Sequence, residues 1–483
     1  MKGVDKFPET VADAFEWNLF TKGLLFHTSA EINKILDKTP EGKAKWDGLR
    51  MMRVRINAAV AEGDSATVAR LESEAERVER ELNNEFVPLK KLRDGLDIQV
   101  KDVLRCIGKN GLAVDFIRYE QADSIYWYGA FLYAHDREVT FVPLCKESEL
   151  LSLAKTSSGS VNFKFYTNSR AYRLVWGKLE ECFSGYDDIY FSADGALNTL
   201  AIELMLDENN EPFCDKHRLH RTFHLTDISR VEGLGNRFVA VGVSDYNSPI
   251  GNEDLRDRGS WSDLPGVRTE LDTIAHTLRR TAGNELSVRI ALDDEAREPY
   301  VKALSGLPVT TLHIAAHGFY LGYEDMTKAA TSNSHFNHNI SLRALTAGKE
   351  SLSGLILRGG NVVWQSTAVG DDDDDILTSD EIECLTFPQL RLTVLSACET
   401  GLGDTDSEGV WGLQRAFRMA GSRSLICSLC NINDQWTARF MEAFYRHAAK
   451  GESVYAAFQA ARRHLFEQNK NKPRIWSSLI LIE

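Results

Sequence analysis

The first hundred residues show the spacing of amphipathic helices. Residues 15–26 place their apolar side chains on one helical face, and segment 43–83 does the same while its other face is rich in Glu and Arg. Gly63 and Asp64 interrupt that segment, which predicts two antiparallel helices. A helical hairpin packed on the rest of the protein is the simplest interpretation, and a coiled coil that binds a partner is the alternative.

Beyond residue 100 the pattern changes to strands and short helices. Three apolar runs separated by polar turns predict strands within 111–144. Strand-like and helix-like segments then alternate, which is typical of parallel βα units and of an α/β fold. The next predicted strands are 187–205, 237–244 and 286–292, and the predicted helices are 171–183, 264–281 and 295–306.

The C-terminal third has the clearest boundaries. Gly421 is a typical helix stop, and Ser453 is a candidate helix N-cap. We predict helices over 408–421, 434–451 and 453–467, and buried strands over 422–430 and 476–483. The chain therefore divides into a helical region (1–100) and two α/β regions (101–230 and 231–483).

The composition is that of a globular protein with more than one domain. The 483 residues are 43% hydrophobic and 26% charged. A net charge of −14 argues against nucleic-acid binding, and the chain shows neither a long apolar run nor a signal peptide. The eight cysteines are irregularly spaced and mostly lie in apolar runs, so we expect reduced thiols in a cytoplasmic protein that binds no membrane.

Two apolar runs end in reactive side chains. His317 follows residues 311–316 and precedes Gly318, and Cys398 follows residues 390–397 and precedes a glycine-rich turn. Because the carboxyl ends of parallel strands meet at one sheet edge, we expect the two side chains to lie close together. An imidazole beside a thiol favours the nucleophilic thiolate. The backbone N–H groups of Gly318 and Cys398 would form an oxyanion hole, and a buried structural cysteine is the alternative.

A weak internal repeat accompanies this pair. Segment 189–197 resembles segment 312–320 in its order of apolar and small residues, with Asp194 in the place of His317. We interpret the similarity as a duplication in which the first copy lost its catalytic residues.

Other candidate sites are weaker. The spacing of His313 and His317 would face one metal ion only on a helix, whereas both fall in a strand-like segment. Cys427 and Cys430 have no second pair, so we interpret them as core residues. The five aspartates at 371–375 are typical of a solvated loop, and attraction of basic substrate residues is the alternative. We therefore expect no metal ion and no cofactor.

The residues around both candidate catalytic side chains resemble a known family. HIAAHGFY (313–320) and LSACETGLGDTDSEGVWGLQRAFRMAG (395–421) are similar to the active-site blocks of CHAT-domain cysteine proteases. CHAT-domain proteases are related to caspases and separase, and the CHAT domain often follows tetratricopeptide repeats in the chain. Further matching segments run in order from FTKGLLFHTSAEI to IWSSLILIE, so the resemblance covers almost the whole chain. Family members usually carry repeats ahead of the FTKGLLF region, so a missing repeat domain, a processed product and a short form all remain open.

The resemblance implies a fold and a site. The fold is a caspase-like three-layer α/β sandwich, with a degenerate half (101–230) and an active half (231–483) behind the helical hairpin. His317 becomes the general base and Cys398 the nucleophile, and the backbone N–H groups of Gly318 and Cys398 face the oxyanion.

The substrate pocket is predicted from charge instead, because matching does not place it. The acidic residues that closely follow the nucleophile are Glu399, Asp404 and Glu408. If they line the pocket, it prefers a basic or uncharged residue before the cleaved bond.

The resemblance also implies a function, a cysteine endopeptidase that cleaves a partner protein such as a gasdermin in prokaryotic immunity or cell death. A regulatory or sensor protein would bind the N-terminal helices. A non-enzymatic scaffold that binds its partner through those helices is one alternative. Acyl transfer to a small molecule is another, and it needs a deep closed pocket.

Overall fold

A computed structural model describes most of the chain beyond residue 100 and scattered residues before it. The described residues are 10–19, 22, 52, 70, 71, 74, 77, 78, 100–122, 125–156, 160–247, 261–282, 286–322, 326–327, 351–365, 373–397, 400–401, 404–406, 409–430 and 434–483. The predicted helical pair at 43–83 lies almost entirely outside them, as do Cys398, Glu399 and Glu408.

The described strands and helices follow the alternation expected from the sequence. The strands are β1 (Gly111–Ala122), β2 (Ile125–Ala134), β3 (Arg137–Lys146), β4 (Asp188–Ser192), β5 (Arg218–Arg221), β6 (Arg237–Gly242), β7 (Ser287–Leu292), β8 (Thr311–Ala315), β9 (His317–Gly322), β10 (Ser351–Ile356), β11 (Ile376–Thr378), β12 (Leu392–Ser396), β13 (Asp404–Asp406), β14 (Gly409–Trp411), β15 (Ser424–Ser428) and β16 (Leu479–Ile482). The helices are α1 (Val100–Ile107), α2 (Glu147–Ala154), α3 (Ser169–Tyr172), α4 (Lys178–Glu180), α5 (Phe213–Lys216), α6 (Pro265–Ala282), α7 (Glu298–Ala303), α8 (Gly360–Gln365), α9 (Ser379–Glu383), α10 (Leu413–Met419), α11 (Asp434–Ala448), α12 (Val454–Gln468) and α13 (Pro473–Trp476).

One large sheet carries eleven of the described strands, in the order β3-β2-β1-β4-β5-β16-β15-β12-β8-β6-β7. Strands β9, β10 and β11 form a separate antiparallel sheet, and β13 pairs with β14. Strands β1, β4 and β5 are parallel to one another, as are β6, β8, β12 and β15.

The two halves of the sheet run in opposite directions. β16 is antiparallel to β15 and parallel to β5, so the first-half strands point opposite to the second-half strands. The order β1-β4-β5 in one direction matches β6-β8-β12 in the other. The halves are therefore related by an approximate two-fold rotation about an axis perpendicular to the sheet, and their carboxyl strand ends lie at opposite edges.

Helices cover both faces of the second half. α6 connects β6 outward to β7 and α7 returns from β7 to β8, so right-handed crossovers place α6 and α7 on opposite faces. α11 packs between α6 and α12, and α9 packs against α10. The predicted α/β sandwich is confirmed.

Side-chain alternation along β1 explains how the N-terminal helix joins the first half. Leu112 and Val114 enter the main core, whereas Ala113 belongs to a second cluster on the opposite face. The helical residues 10–19 cover that face with Phe15 and Leu19, which are almost fully buried. The sheet is thus covered on both sides.

Helix boundaries follow local chemistry. The Ser453 side chain accepts a hydrogen bond from the Ala456 N–H at the start of α12, as its N-cap position predicts. Thr378 and Glu381 form a capping box at α9. The helix predicted over 408–421 was placed too early, because Gly409–Trp411 pair with Asp404–Asp406 and α10 begins at Leu413.

The aspartate run is partly structural, so the interpretation of a solvated loop is wrong for its end. Asp375 is buried, and its carboxylate accepts hydrogen bonds from Arg297 Nε at 2.7 Å and from the Glu298 N–H at 3.0 Å. Asp374 accepts the Ile376 N–H at 3.0 Å. The buried Asp375 carboxylate and the half-buried Asp374 carboxylate fix the start of β11 through these partners.

Three broad properties complete the fold. No helix among the described residues is long and apolar enough to cross a membrane. None of the seven described cysteines forms a disulfide, and no described cluster of His, Cys, Asp or Glu has the composition of a metal site. The sheet passes from first-half to second-half strands between residues 221 and 237, and the exact domain boundaries stay a prediction.

Candidate functional site

His317 lies just beyond the carboxyl end of β8, and β8 is the neighbour of β12, the strand that leads to Cys398. β8 and β12 are parallel neighbours, and Ala315 pairs with Ser396 in register. His317 lies two residues beyond Ala315, and Cys398 follows Ser396 by the same number of residues. The sequence reasoning therefore identified the correct pair of neighbouring strands, while the position of the Cys398 thiol itself stays a prediction.

The His317 imidazole is held by a backbone carbonyl. Its Nε2 lies 2.7 Å from the carbonyl oxygen of Ser262. A carbonyl only accepts hydrogen bonds, so Nε2 must carry the proton. In the neutral ring Nδ1 then bears the lone pair, which makes Nδ1 the nitrogen that can remove a proton.

Two aromatic rings contact the imidazole. The centroid of the Trp261 ring lies 4.8 Å from that of His317, with a 35° angle between the planes. The Tyr246 ring centroid lies 4.9 Å from it. An aromatic face stabilises a positive charge placed beside it, so this contact favours the imidazolium form.

Tyr246 also fixes the backbone of His317. Its hydroxyl accepts the His317 N–H at 2.9 Å and donates to the Ile356 carbonyl at 2.9 Å. Ile356 is the residue that pairs with His317 between β9 and β10. The hydroxyl therefore joins the first residue of β9 to the last residue of β10, and both its donor and acceptor functions are used.

The turn after β12 is anchored to β15 on both sides of Cys398 and Glu399. The Ala397 carbonyl accepts the Ser428 hydroxyl at 2.6 Å, and the Gly401 N–H donates to the Ser428 carbonyl at 2.6 Å. A Cβ atom on Gly401 would lie 2.8 Å from that carbonyl oxygen, so the close approach requires glycine.

His313 has a different role from His317. It is fully buried in β8, where Nδ1 lies 2.9 Å from the Tyr445 hydroxyl and Nε2 lies 3.1 Å from the Glu270 carboxylate. Glu270 in turn accepts the Ser396 hydroxyl at 3.1 Å. This network joins β8, α6, α11 and the end of β12, so His313 is a structural histidine and not a metal ligand.

The other predicted site residues are only partly described. Gly318 is buried in β9 and pairs with Leu355, and Asp404 begins β13 opposite Trp411. The hairpin formed by β13 and β14 contacts the 3-10 helix Gly195–Thr199 of the first half. The oxyanion role of Gly318 and the pocket role of Asp404 stay predictions.

Sequence reasoning missed the residues that orient His317. Tyr246 follows β6, which is the other neighbour of β8. Because functional groups collect at the carboxyl ends of parallel strands, the position of Tyr246 is the signal that could have identified it. Trp261 and Ser262 lie before α6 in a segment whose sequence gives no comparable signal. Their role depends on a contact with a strand about fifty residues later in the chain.

Comparison with known proteins gives one matching family and distant similarity to solved structures. The CHAT domain family model matches residues 167–483. The crystal structure of the Arg-specific cysteine proteinase gingipain R is similar at 7% identity, with a TM-score of 0.37 and 68% of each chain covered. The complex of the pro- and mature domains of Porphyromonas gingivalis RgpB is similar at 9% identity, with a TM-score of 0.36 and coverage of 70% of this chain and 75% of that one. No curated protein matches.

Proposed function

The chain belongs to the CHAT-domain family, and from that premise we propose that it is a cysteine endopeptidase with Cys398 as nucleophile and His317 as general base. The observation that carries the proposal is the state of the His317 ring. Its Nε2 donates a hydrogen bond to the Ser262 carbonyl at 2.7 Å. His317 itself follows β8, which lies beside β12, the strand that leads to Cys398. Unlike the fully buried structural His313, His317 is only partly buried and lies just beyond the carboxyl end of a strand.

The reaction follows from that tautomer. Nδ1 of His317 takes the proton of the Cys398 thiol, and the thiolate attacks the peptide carbonyl carbon. The tetrahedral oxyanion collapses, the C–N bond breaks, and the imidazolium gives its proton to the leaving amine. A thioester remains on Cys398. Water then attacks it while Nδ1 takes the proton, and the carboxylic acid and the free thiol are released.

The surroundings of His317 support the charged intermediate. The imidazolium keeps its Nε2–H bond to Ser262, and the Trp261 face lies against the ring. Both contacts strengthen when the ring becomes positive, so they stabilise the ion pair of imidazolium and thiolate more than the neutral pair. No third side chain is required in such a dyad.

The substrate in this proposal is a partner protein, such as a gasdermin, cut within the cytoplasm during prokaryotic immunity or cell death. A regulatory protein would bind the N-terminal helices. The acidic residues Glu399, Asp404 and Glu408 favour a basic or uncharged residue before the cut bond, and so does the net charge of −14 on the whole chain. A positional peptide library measures that preference, and a strict requirement for aspartate would contradict it.

Thiol alkylation tests the proposal without knowledge of the substrate. Burial raises the pKa of the Cys214 thiol to about 11 and that of Cys145 to about 12, so these thiols react slowly with iodoacetamide at neutral pH. Cys398 should react much faster than the seven other cysteines, as read by peptide mass spectrometry.

His317→Ala should remove that advantage, and Cys398→Ala should abolish cleavage of any protein that the native chain cuts. A Cys398 rate no higher than those of the half-buried Cys106, Cys182, Cys384 and Cys430 would favour the non-enzymatic scaffold.

A further inference from the structure

Asn361 lies behind the His317 site and bonds to both residues that contact the imidazole ring. It is the second residue of α8 and is 7% exposed. Its Oδ1 accepts the Trp261 N–H at 2.8 Å, while its Nδ2 donates to the Trp261 carbonyl at 2.9 Å and to the Tyr246 carbonyl at 3.2 Å. The side-chain amide therefore holds Trp261 by both of its backbone polar groups and joins that residue to Tyr246.

Asp263, two residues after Trp261, makes two further hydrogen bonds that hold the same segment. Asp263 Oδ1 accepts the Tyr246 N–H at 2.8 Å and lies 2.9 Å from Asn247 Nδ2. The short stretch 261–263 is thus tied to Tyr246 through its first and last residues. Ser262 lies between them, exposed, and its carbonyl is the group that meets His317 Nε2.

We propose that Asn361 is a positioning residue that sets the tautomer and the orientation of His317 through Trp261 and Ser262. The inference rests on the proposed peptidase function for its catalytic meaning, but the tautomer itself can be measured without any activity. Asn361 touches neither substrate nor the reacting atoms. It acts because the Ser262 carbonyl can select the Nε2–H form of His317 only while the backbone of Trp261 stays in place.

The expected effect follows from the two tautomers of neutral imidazole. If the Ser262 carbonyl shifts away, the Nδ1–H form becomes populated, and that form offers Cys398 a donor where an acceptor is needed. Displacement of a catalytic group by about 1 Å costs on the order of a hundredfold in rate. Loss of the Asn361 amide should therefore slow alkylation of Cys398 at neutral pH by about tenfold to a hundredfold.

Asn469 offers a matched control. It is also 7% exposed, and its Nδ2 donates to the Leu465 carbonyl at 3.1 Å at the end of α12. Asn469→Ala should lower the melting temperature as Asn361→Ala does, because each removes a buried amide with backbone partners. A purely structural role for Asn361 predicts that the two variants behave alike in every measurement.

The experiment combines nuclear magnetic resonance with alkylation. Long-range proton–nitrogen spectra of protein labelled with ¹⁵N-histidine report which ring nitrogen of His317 is protonated, and a His317→Gln spectrum assigns the signal. We expect the Nε2–H form in the native protein and in Asn469→Ala, and a mixture in Asn361→Ala. The pH profile of the Cys398 alkylation rate between pH 5 and 9 should change in Asn361→Ala and stay native in Asn469→Ala.

A second substitution keeps the test decisive if Asn361→Ala does not fold. Asn361→Asp preserves the side-chain volume and the acceptor for the Trp261 N–H, but it removes both donations to carbonyls, so the same tautomer change is expected. A native tautomer and a native alkylation profile in the folded Asn361 variants would overturn the proposal. If His317→Ala leaves Cys398 alkylation unchanged, the proposed peptidase function fails instead, whatever the Asn361 spectra show.

Discussion

The strand ends after β4 and after β8 are equivalent in the two halves, yet they are used in opposite ways. Asp194 lies two residues beyond β4 and His317 two residues beyond β8, at opposite edges of the sheet. Asp194 is 5% exposed, and its two oxygens accept the Arg118 N–H at 2.6 Å and the Gly195 N–H at 2.7 Å. His317 is only partly buried.

The first-half site is closed by a lysine from the N-terminal region. Lys22 is 6% exposed, and its ammonium donates to Asp115 at 2.7 Å, to the Phe116 carbonyl at 2.5 Å and to the Ser192 hydroxyl at 3.3 Å. Burial raises the pKa of Asp194, an effect that the Lys22 charge opposes. A strand end thus becomes an interior ionic cluster in one half, whereas in the other it keeps a reactive ring near solvent.

The largest difference between the two strand ends should appear in activity. His317→Ala should lower the rate of proteolysis by about a thousandfold, because it removes the general base and the proton donor to the leaving amine. Its melting temperature should stay within a few degrees of the native value, since the ring is only partly buried. Cleavage at the native rate would show that another residue is the base.

The closed site should respond through stability. Lys22→Met leaves the fully buried Asp115 without its ion-pair partner, which should destabilise the first half by about 3 kcal/mol. Urea unfolding or hydrogen exchange of β1 measures the loss. The double variant Lys22→Met/Asp115→Leu should recover part of that stability, because the uncompensated charge is gone. Additive losses from the two substitutions would show that the pair is not coupled.

Asp194 should matter for folding and little for catalysis. Asp194→Asn keeps one acceptor oxygen but weakens a bond to one backbone N–H, at a cost of about 2 kcal/mol. We expect the rate of proteolysis to change by less than about tenfold, since the Asp194 carboxylate bonds to two backbone N–H groups of the first half and its strand ends at the edge opposite to that of β8. A rate loss as large as that of His317→Ala would place Asp194 in the working site and end the comparison between the two halves.

The sequence predicted what depends on local pattern, and it missed what depends on contacts between distant segments. Periodicity and turn residues predicted the βα alternation and the Ser453 cap, and the similarity of segments 189–197 and 312–320 matched Asp194 with His317. The direction of the first half depends on β16 joining β5, which no local pattern encodes. The Ser262 carbonyl is a backbone group that any residue supplies, so its contact with His317 leaves no trace in residue identity.

Composition also misled in one place. A run of acidic residues usually lies in solvent, because burying a carboxylate without partners is costly. Here Arg297 and two backbone N–H groups supply those partners for the end of the run at Asp374 and Asp375. Two of these partners, Arg297 and the Glu298 N–H, lie at the start of α7 more than seventy residues earlier, so the run alone does not reveal them.

The seam between the halves contains a histidine that is neither catalytic nor part of either strand-end site. His220 on β5 is 6% exposed, with Nδ1 2.5 Å from the Glu483 carboxylate and Nε2 3.0 Å from Asp188. The ring stacks between Tyr190 and Tyr455, at centroid distances of 4.7 Å and 4.1 Å. One imidazolium between two carboxylates therefore joins β4, β5 and the end of the chain.

The smallest expected effect is a pH dependence of this seam. Burial alone would lower the pKa of His220, but the bonds to Asp188 and Glu483 outweigh it and raise the pKa above its usual value. Burial likewise opposes the charge on Asp188, yet His220 and Arg218 lower the pKa of that carboxyl to about 2. A raised histidine pKa stabilises the fold fully below the unfolded value of about 6.5 and loses that contribution as the pH rises through the folded value. The lowered aspartate pKa stabilises the fold above about pH 4 and loses its contribution as the pH falls toward 2.

The seam should therefore be most stable between about pH 4 and 6.5, and the free energy of unfolding should fall as the pH rises from 6 to 8. Urea unfolding across that range tests it, with His220→Gln as the control whose profile should be flatter. A native slope in His220→Gln would mean that another group controls the pH dependence, and that the two halves are joined without an ionisable link.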